Sequence, residues 1–510
     1  MPRYAAIDIG SNSVRMLAAE AEPSTGIRSL ASDREVTRLG QSVFRTGRVS
    51  QEATDLVCSV LARMALTYQK LNVLGIRAVA TAAIRDAGNQ QEFLKRASDA
   101  IGSPVEPISG QEEARLIHLG VQTRWPQPGK RVLMIDIGGG SAEIILSSDR
   151  QIEYSVSKQL GALRLCEIFL HSDPPRPSEL RRLESYIEER IAPSVRKIAS
   201  HSIDRVIATS ASASAAVSAI NNVPRVRRDE ADRMRASLAQ LRKLYKDLSL
   251  RTLDERRRTT GIGPRRAEII IPGVAVLVRV LEDLQLSGLY HSAAGVRDGI
   301  IADLAARGAG FNLSELAAEQ RSSVEQMAEH YHVPIKHARK VARLSNLLFT
   351  SLHSLHELPP IYGRLLEAAA YLHDIGHYVS DNKHHKHSHY LVANSDMPGF
   401  TARERVVIAN LCRYHRKAVP NEMHLNFQEL EPDARRAVQL LAPVLRLADS
   451  LDRSQQQRVK HVECVVHPAD VRLEIGSDRD IDLEAWAADS AGEVFRQVYR
   501  RPLVVTRAKP

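Results

Sequence analysis

The first 300 or so residues alternate short apolar runs with longer amphipathic stretches. Ala5–Asp8 and Val14–Glu20 have the compact apolar pattern of buried strands, joined by Gly10-Ser11-Asn12-Ser13. A helix is predicted over Gln51–Leu71, a strand over Arg77–Ala80 and a helix over Gln90–Ile101. A second cycle starts at Val132–Asp136, turns at Gly138-Gly139-Gly140-Ser141 and returns through Glu143–Leu146. Helices are expected at Leu180–Ala199 and Asp229–Asp247, with a strand at Arg205–Ala208 between them. This alternation predicts α/β architecture. From about Asn312 the pattern becomes long, helical and rich in histidine, and after Arg458 strand-like alternation returns at Val459–Val466 and Val471–Ile475, with one helix near Leu483–Tyr499. Four domains are expected, over residues 1–125, 126–308, 311–458 and 459–510, the last a small α+β tail.

The two openings match. Ala6-Ile7-Asp8-Ile9-Gly10-Ser11 and Ile135-Asp136-Ile137-Gly138-Gly139-Gly140-Ser141 each place an Asp at a strand end before a glycine turn with Ser. An ordinary hairpin turn explains either one, but not the pair. Glycine turns let backbone N–H groups approach an anion, and Asp8 or Asp136 can hold a divalent cation beside it. Neither turn is a P-loop, because no GK[ST] follows.

Composition narrows the classes. The chain has 510 residues, 44% hydrophobic and 25% charged, too long for one core. No apolar run reaches the roughly 18 residues of a membrane span; the longest, near Ile269–Val278, contains Pro272 and Gly273. Apparent strand structure from Tyr4 leaves no room for a signal peptide. Scattered Cys58, Cys166, Cys412 and Cys464 fit a reducing compartment, so a cytoplasmic location is expected. The net charge of +10 favours polyanionic partners. Arg225/Arg227/Arg228, Arg256–Arg258 and Arg265/Arg266 are each ordinary solvated clusters that together can guide a polyanion. No nucleic-acid-binding signature is present, so nucleic acid is not a favoured partner.

Ser109-Gly110-Gln111-Glu112-Glu113-Ala114-Arg115 reads as a capping box, with Glu112 folding back to the Ser109 amide and Glu113 free to project. Glu113 can activate a water if it faces the glycine loops, or it is a solvated first-turn Glu favoured by the helix dipole. Arg85 is a candidate phosphate clamp.

Together, Ala5–Ala19, Ala80–Ala87, Ile108–Val121 and Val132–Leu146 resemble the exopolyphosphatase / guanosine pentaphosphate phosphohydrolase (Ppx/GppA) family. Gly295-Val296-Arg297-Asp298-Gly299 and Arg413-Tyr414-His415-Arg416-Lys417 also fit. The resemblance implies an actin-like fold of the ribonuclease H-like class, with two α/β domains facing across a cleft. It makes Glu113 the catalytic base, gives Asp136 and Glu143 a Mg²⁺ ion or the water, and gives phosphate to Arg85, Ser141 and Gly138–Gly140, with Ser11, Asn12 and Ser13 on the opposing loop. Ala142 stands where the family usually carries Thr, and Thr209-Ser210-Ala211-Ser212 replaces a glycine-containing turn. A homodimer is a family-level expectation.

His337, His373-Asp374 and Asp449 resemble an all-α HD-type phosphohydrolase domain, able to hold a divalent metal through mixed N/O ligands. His377, His384, His385, His387, His389 and His415 can add ligands to a second ion. The bland alternative is a structural domain with a polar histidine-rich loop. The expected activity is metal-dependent removal of terminal phosphate from inorganic polyphosphate, with guanosine pentaphosphate and tetraphosphate as related ligands. A polyphosphate/ADP phosphotransferase and an alarmone- or nucleotide-sensing regulator remain as alternatives.

Overall fold

A computed structural model describes residues 1–22, 26–308 and 316–508. The chain divides into two compact units, Met1–Ala309 and Gly310–Pro510. The domain boundary expected at 309–310 and the change of pattern near Asn312 lie outside the described residues.

The first unit is built twice. β1 (Arg3–Ile9), β2 (Val14–Glu22), β3 (Gly26–Glu35), β4 (Gly75–Ala80) and β5 (Val105–Pro107) form one sheet in the order β3-β2-β1-β4-β5. β6 (Arg131–Ile137), β7 (Ala142–Ser148), β8 (Gln151–Lys158), β9 (Arg205–Thr209), β10 (Arg235–Ser237) and β11 (Gly288–His291) form the other, in the order β10-β11-β9-β6-β7-β8. Apart from β10 the topologies coincide: three antiparallel strands, then two added in parallel.

Strand periodicity splits each sheet between two cores. On β1, Ala5, Ile7 and Ile9 pack with Val57, Leu61 and Met64 of the Gln51–Gln69 helix. Tyr4 and Ala6 point the other way, toward Leu116, Ile300 and Ile301. On β6, Leu133 and Ile135 join the second sheet's main core, while Val132 and Met134 meet Ala114, Ile117 and Val121. One helix, Gly110–Arg124, therefore packs against both sheets. Its topological counterpart is Val296–Gly308, which follows β11 as Gly110–Arg124 follows β5. The two helices cross closely, since a Cβ on Gly299 would lie 1.9 Å from the Leu116 carbonyl oxygen.

Buried charge fixes the start of that shared helix. The Glu112 carboxylate accepts from Arg115 Nε and Nη2 at 2.8 and 2.9 Å and pairs with Arg77 at 3.1 Å. Asp303 receives Arg77 at 3.3 Å, Arg115 at 3.0 Å and Arg307 at 2.8 Å. These guanidinium groups outweigh the cost of burial and hold the Asp303 carboxyl far below the usual range. The expected capping box is thus only half formed. Ser109 Oγ accepts from the Glu112 amide at 3.2 Å, but the Glu112 side chain turns to arginines rather than back to the Ser109 amide.

Other departures from the sequence reading have similar local causes. The helix expected over Asp229–Asp247 is a 3₁₀ turn Arg225–Ala231, then β10, then the helix Leu238–Leu250. Ser237 caps that last helix with Gln240, which sets its true start. β3 escaped the pattern because it is a polar edge strand, RSLASDRE in its body, with no fully buried residue. The apolar stretch containing Pro272 and Gly273 is one buried helix, Ile270–Asp283, in which Pro272 occupies the first turn, where no intrahelical N–H bond is lost. Among the described residues, no helix is long and apolar enough to cross a membrane.

In the second unit, helices including Ile335–Ser351, Ile361–Leu372, Ala402–Tyr414 and Pro432–Ser450 close around Leu348, Leu366, Ile408, Leu441 and Leu445. β12 (His461–Val466), β13 (Val471–Gly476) and β14 (Leu503–Arg507) form a three-stranded sheet. With the helix Asp482–Tyr499 it contributes Leu473, Ile475 and Phe495 to that same core.

Replacing Asp303 by Ala removes one of the two buried carboxylates that Arg77 and Arg115 share. The expected loss in equilibrium unfolding by denaturant is about 3–5 kcal/mol. A loss within about 0.5 kcal/mol, the usual scale of a surface substitution, would contradict the role assigned to this network.

Candidate active site

The two glycine turns meet in a cleft of the first unit with a volume of about 1210 Å³. Each turn closes the same way, with Gly10 N–H donating to Ser13 O at 3.1 Å and Gly138 N–H to Ser141 O at 3.0 Å. The turns touch: a Cβ on Gly139 would lie 2.9 Å from the Asn12 amide nitrogen, and one on Gly140 would lie 2.5 Å from Ser11 Oγ. The carbonyls of Gly138 and Gly139 accept from amides of Ala162–Arg164, and that of Gly140 from Arg164 Nε. The N–H groups of Ser11, Asn12, Gly139 and Gly140, by contrast, find no hydrogen-bond acceptor among the described residues. Four such amides at a cleft wall form an anion cradle.

The repeat is chemically unequal. In the first sheet Asp8 faces Arg15 across the strand pair, whereas in the second Asp136 faces Glu143. Like charges directly opposed are unfavourable without a proton or cation between them. Glu143 is fully buried; Ser157 Oγ donates to its Oε1 at 2.7 Å, and its Oε2 has no hydrogen-bond partner. Burial, then the charges of Glu113 and Asp136, hold the Glu143 carboxyl well above the usual range. Asp136 accepts a short hydrogen bond from Thr209 Oγ1, and burial still raises it; burial likewise raises Asp8 against the pull of Arg15 and Arg297.

Glu113 lines the cleft from the first turn of the shared helix. Burial lifts its carboxyl to about 7, with Asp8 and Asp136 adding to the rise and Arg85 opposing it. Arg85 Nη1 donates to Glu113 Oε2 at 2.9 Å and to Ile108 O at 2.8 Å. In this structure Arg85 therefore holds the carboxylate of Glu113. A carboxyl poised near neutrality beside an anion cradle can take a proton from water.

Arginines line the same cleft. Arg15, Arg34, Arg266 and Arg297 line the cleft, and among the described residues none forms an ion pair with a carboxylate. Burial and neighbouring guanidinium charges, Arg15 among them, push Arg34 and Arg266 down. A guanidinium does not release its proton in a protein, so the unbalanced charge calls for an anion. Arg225, Arg228 and Arg265 line the same cleft. Arg256 and Arg257 do not; they pair with Asp173, Asp254 and Glu268. Arg15 and Arg34 were missed because one lies beyond the turn motif and the other on the unrecognised edge strand. Ser210, in the turn where a glycine was expected, adopts φ 81°, the left-handed region that glycine favours.

The family model described as the Ppx/GppA phosphatase family matches residues 17–307, and Ppx/GppA phosphatase domain III matches residues 320–484. The chain belongs to the Ppx/GppA phosphatase family. Three solved structures resemble about three-fifths of this family member. An exopolyphosphatase-like protein is 26% identical with a TM-score of 0.57, covering 60% of this chain and 98% of its own. The Aquifex aeolicus PPX-GPPA enzyme is 27% identical with a TM-score of 0.52, covering 59% and 99%. An exopolyphosphatase from Cytophaga hutchinsonii, 24% identical with a TM-score of 0.56 over 60% and 98%, shares the fold.

In the second unit, His337, His373, Asp374 and Asp449 converge, with His337 Nε2 and His373 Nε2 at 3.4 and 3.5 Å from Asp449 Oδ1. His377, His384 and His415 also approach Asp374, whereas His385, His387 and His389 are not among its neighbours. The domain III segment of this chain thus carries a second polar centre.

A general base at Glu113 would work only when deprotonated, so with Glu113 in that role phosphatase kcat/KM is expected to rise with pH through an apparent pKa near 7. Arg85 lowers that pKa, so Arg85→Met is expected to move the acid limb to higher pH. A limb unmoved by the substitution would contradict the assignment.

Proposed function

We propose that this phosphatase is an exopolyphosphatase, removing terminal phosphate from inorganic polyphosphate by hydrolysis. The observation that carries the reading is that one cleft brings together carboxyls raised by burial and several arginines without an ion-pair partner. A long chain of phosphates answers the arginines along its length and offers its end to Glu113. The amides of Ser11, Asn12, Gly139 and Gly140 orient the terminal phosphoryl group, and Glu113 takes the proton of the attacking water.

Asp136 and Glu143 suit a divalent cation, because the buried Glu143 Oε2 lacks a partner and faces a like charge across the strands. Mg²⁺ fits such carboxylates and, when bound, supplies charge neutralisation at the phosphoryl oxygens. Guanosine pentaphosphate is a second substrate in this reading. Trp125 lines the cleft as the aromatic ring a base would meet there, with the guanidinium carbons of Arg205 and Arg233 5.1 and 5.4 Å from its centroid. The second unit is read as an HD-type domain, supported by the convergence of His337, His373, Asp374 and Asp449. A cytoplasmic homodimer completes the proposal.

Phosphate release from long-chain polyphosphate and from guanosine pentaphosphate, compared for the wild type and Glu113→Gln, tests it. The substitution is expected to lower kcat by about 10²–10⁴-fold, and near-wild-type turnover by a folded mutant would refute it. Trp125→Ala is expected to raise KM for the nucleotide more than for polyphosphate. An equal effect on both would remove the base-stacking role.

A further inference from the structure

Arg164 bridges the two halves of the first unit beside the cleft. It stands in the first turn of the short helix Ala162–Phe169 and is 9% exposed. Its backbone N–H and that of Leu163 donate to Gly139 O, both at 3.0 Å, and Ala162 N–H donates to Gly138 O at 2.9 Å. The Arg164 side chain continues the series, with Nε donating to Gly140 O at 2.8 Å. Three consecutive carbonyls of the glycine turn are thereby bound to one helix start, while the Gly139 and Gly140 N–H groups stay without an acceptor. The helix start is pressed against the turn, since a Cβ on Gly161 would lie 2.3 Å from the Gly140 nitrogen.

The other end of the guanidinium reaches the half built on the first sheet. Nη2 donates a short hydrogen bond to Asp86 Oδ2. Asp86 ends the helix Ala82–Asp86, which follows β4, and its neighbour Arg85 is the residue that donates to Glu113 Oε2. Between its two polar partners the Arg164 guanidinium carbon lies 3.9 Å from the ring centroid of Phe44, on the helix Leu39–Thr46. The glycine turn packs on the same group: a Cβ on Gly140 would lie 2.9 Å from Phe44 Cζ and from Ala82 Cβ. One turn beyond Arg164, Glu167 accepts from Gln41 Nε2 at 3.0 Å and from Arg45 Nε at 2.6 Å. Arg164 differs from the arginines of the cleft in two ways. It does not line the cavity, and its charge is matched by Asp86. Its rigid planar fork serves two acceptors at a fixed angle, which a single ammonium group does not do.

We propose that Arg164 is a positioning residue of the phosphatase reaction: one guanidinium group fixes the Gly138–Gly140 turn to the Arg85–Asp86 helix, and so sets the anion cradle in register with Glu113. The inference rests on the reading of the cleft as the phosphatase site and is independent of which phosphoanhydride is cleaved. Arg164 acts through the turn and through Asp86, without touching substrate. The amides of Gly139 and Gly140 serve the phosphoryl group on which charge develops, whereas the unpaired arginines hold the rest of the anion. Loss of Arg164 therefore falls on kcat rather than on KM.

The test uses the full chain with Arg164→Met, which keeps bulk against Phe44 and removes both donors, and Asp86→Asn, which removes the matching charge. Phosphate release from polyphosphate and from guanosine pentaphosphate is expected to fall about 10–100-fold in kcat for each variant, with KM within about threefold. The double variant is expected to be slower than Arg164→Met by no more than about twofold, because the two residues act as a unit. Losses that multiply would overturn the link, and kcat within about twofold of wild type in both single variants would overturn the positioning role. Hydrogen exchange read by mass spectrometry needs no substrate. Asp86→Asn is expected to speed exchange about tenfold at the Ala162–Arg164 amides, across the bridge from the substitution. Arg164→Met is expected to do the same at Ile84 and Arg85, whose amides donate to Thr81 O. A rise spread evenly through the first unit, or none at either segment, would overturn the proposal. Wild type that releases phosphate from neither substrate would sink the exopolyphosphatase reading, and the exchange result then decides the bridge by itself. Should Arg164→Met fail to fold, Asp86→Asn, at a side chain 33% exposed, settles both readouts.

Discussion

Asp8, Glu113, Asp136 and Glu143 are gathered beside the cleft, Glu113 and Glu143 buried and Asp8 and Asp136 half-buried, and the first unit is organised around that constraint. Each carboxyl is raised chiefly by burial, and three of them are raised further by one another. The arrangement is tolerable because Arg85 and Arg15 supply positive charge nearby, and because Ser157 and Thr209 donate to Glu143 and Asp136. The cleft still carries raised carboxyls and arginines without an ion-pair partner side by side, and in the proposed reading a metal phosphate complex would answer both.

The fold creates this situation with two sheets of shared topology whose charge differs at one cross-strand position. The two sheets share their topology, and their first hairpins share the closing hydrogen bond. Where the first repeat pairs Asp8 with Arg15, the second pairs Asp136 with Glu143. The first repeat thereby contributes a cation to the cleft lining and the second an additional buried acid beside it. The shared helix then brings Glu113 between them, anchored at its first turn by the buried ion network of Glu112, Arg115, Arg77 and Asp303. Adjacent residues on one helical turn divide the work, Glu112 for the scaffold and Glu113 for the chemistry.

Much of this was legible in the sequence where the signal is local. The paired Asp-glycine turns, the helix starting at Ser109 and the segment Gln90–Ile101 carry their own punctuation, and the structure places them accordingly. The polar edge strand β3 and the three-residue β10 carry no periodic signal, so Arg34 went unnoticed with the former. The engagement of Arg85 with Glu113, of Glu112 with arginines far along the chain, and of Asp374 with histidines on four further elements depends on tertiary contacts that no local pattern encodes.

The most direct test is to observe the Glu113 proton itself. Infrared difference spectroscopy, with Glu113→Gln used to assign the band, follows its carboxyl as pH is changed. The account predicts a protonated band that disappears as pH rises through about 7, and that does so at lower pH once Mg²⁺ is added. A Glu113 already fully ionised at pH near 5 without metal, as an ordinary exposed glutamate would largely be, would contradict it.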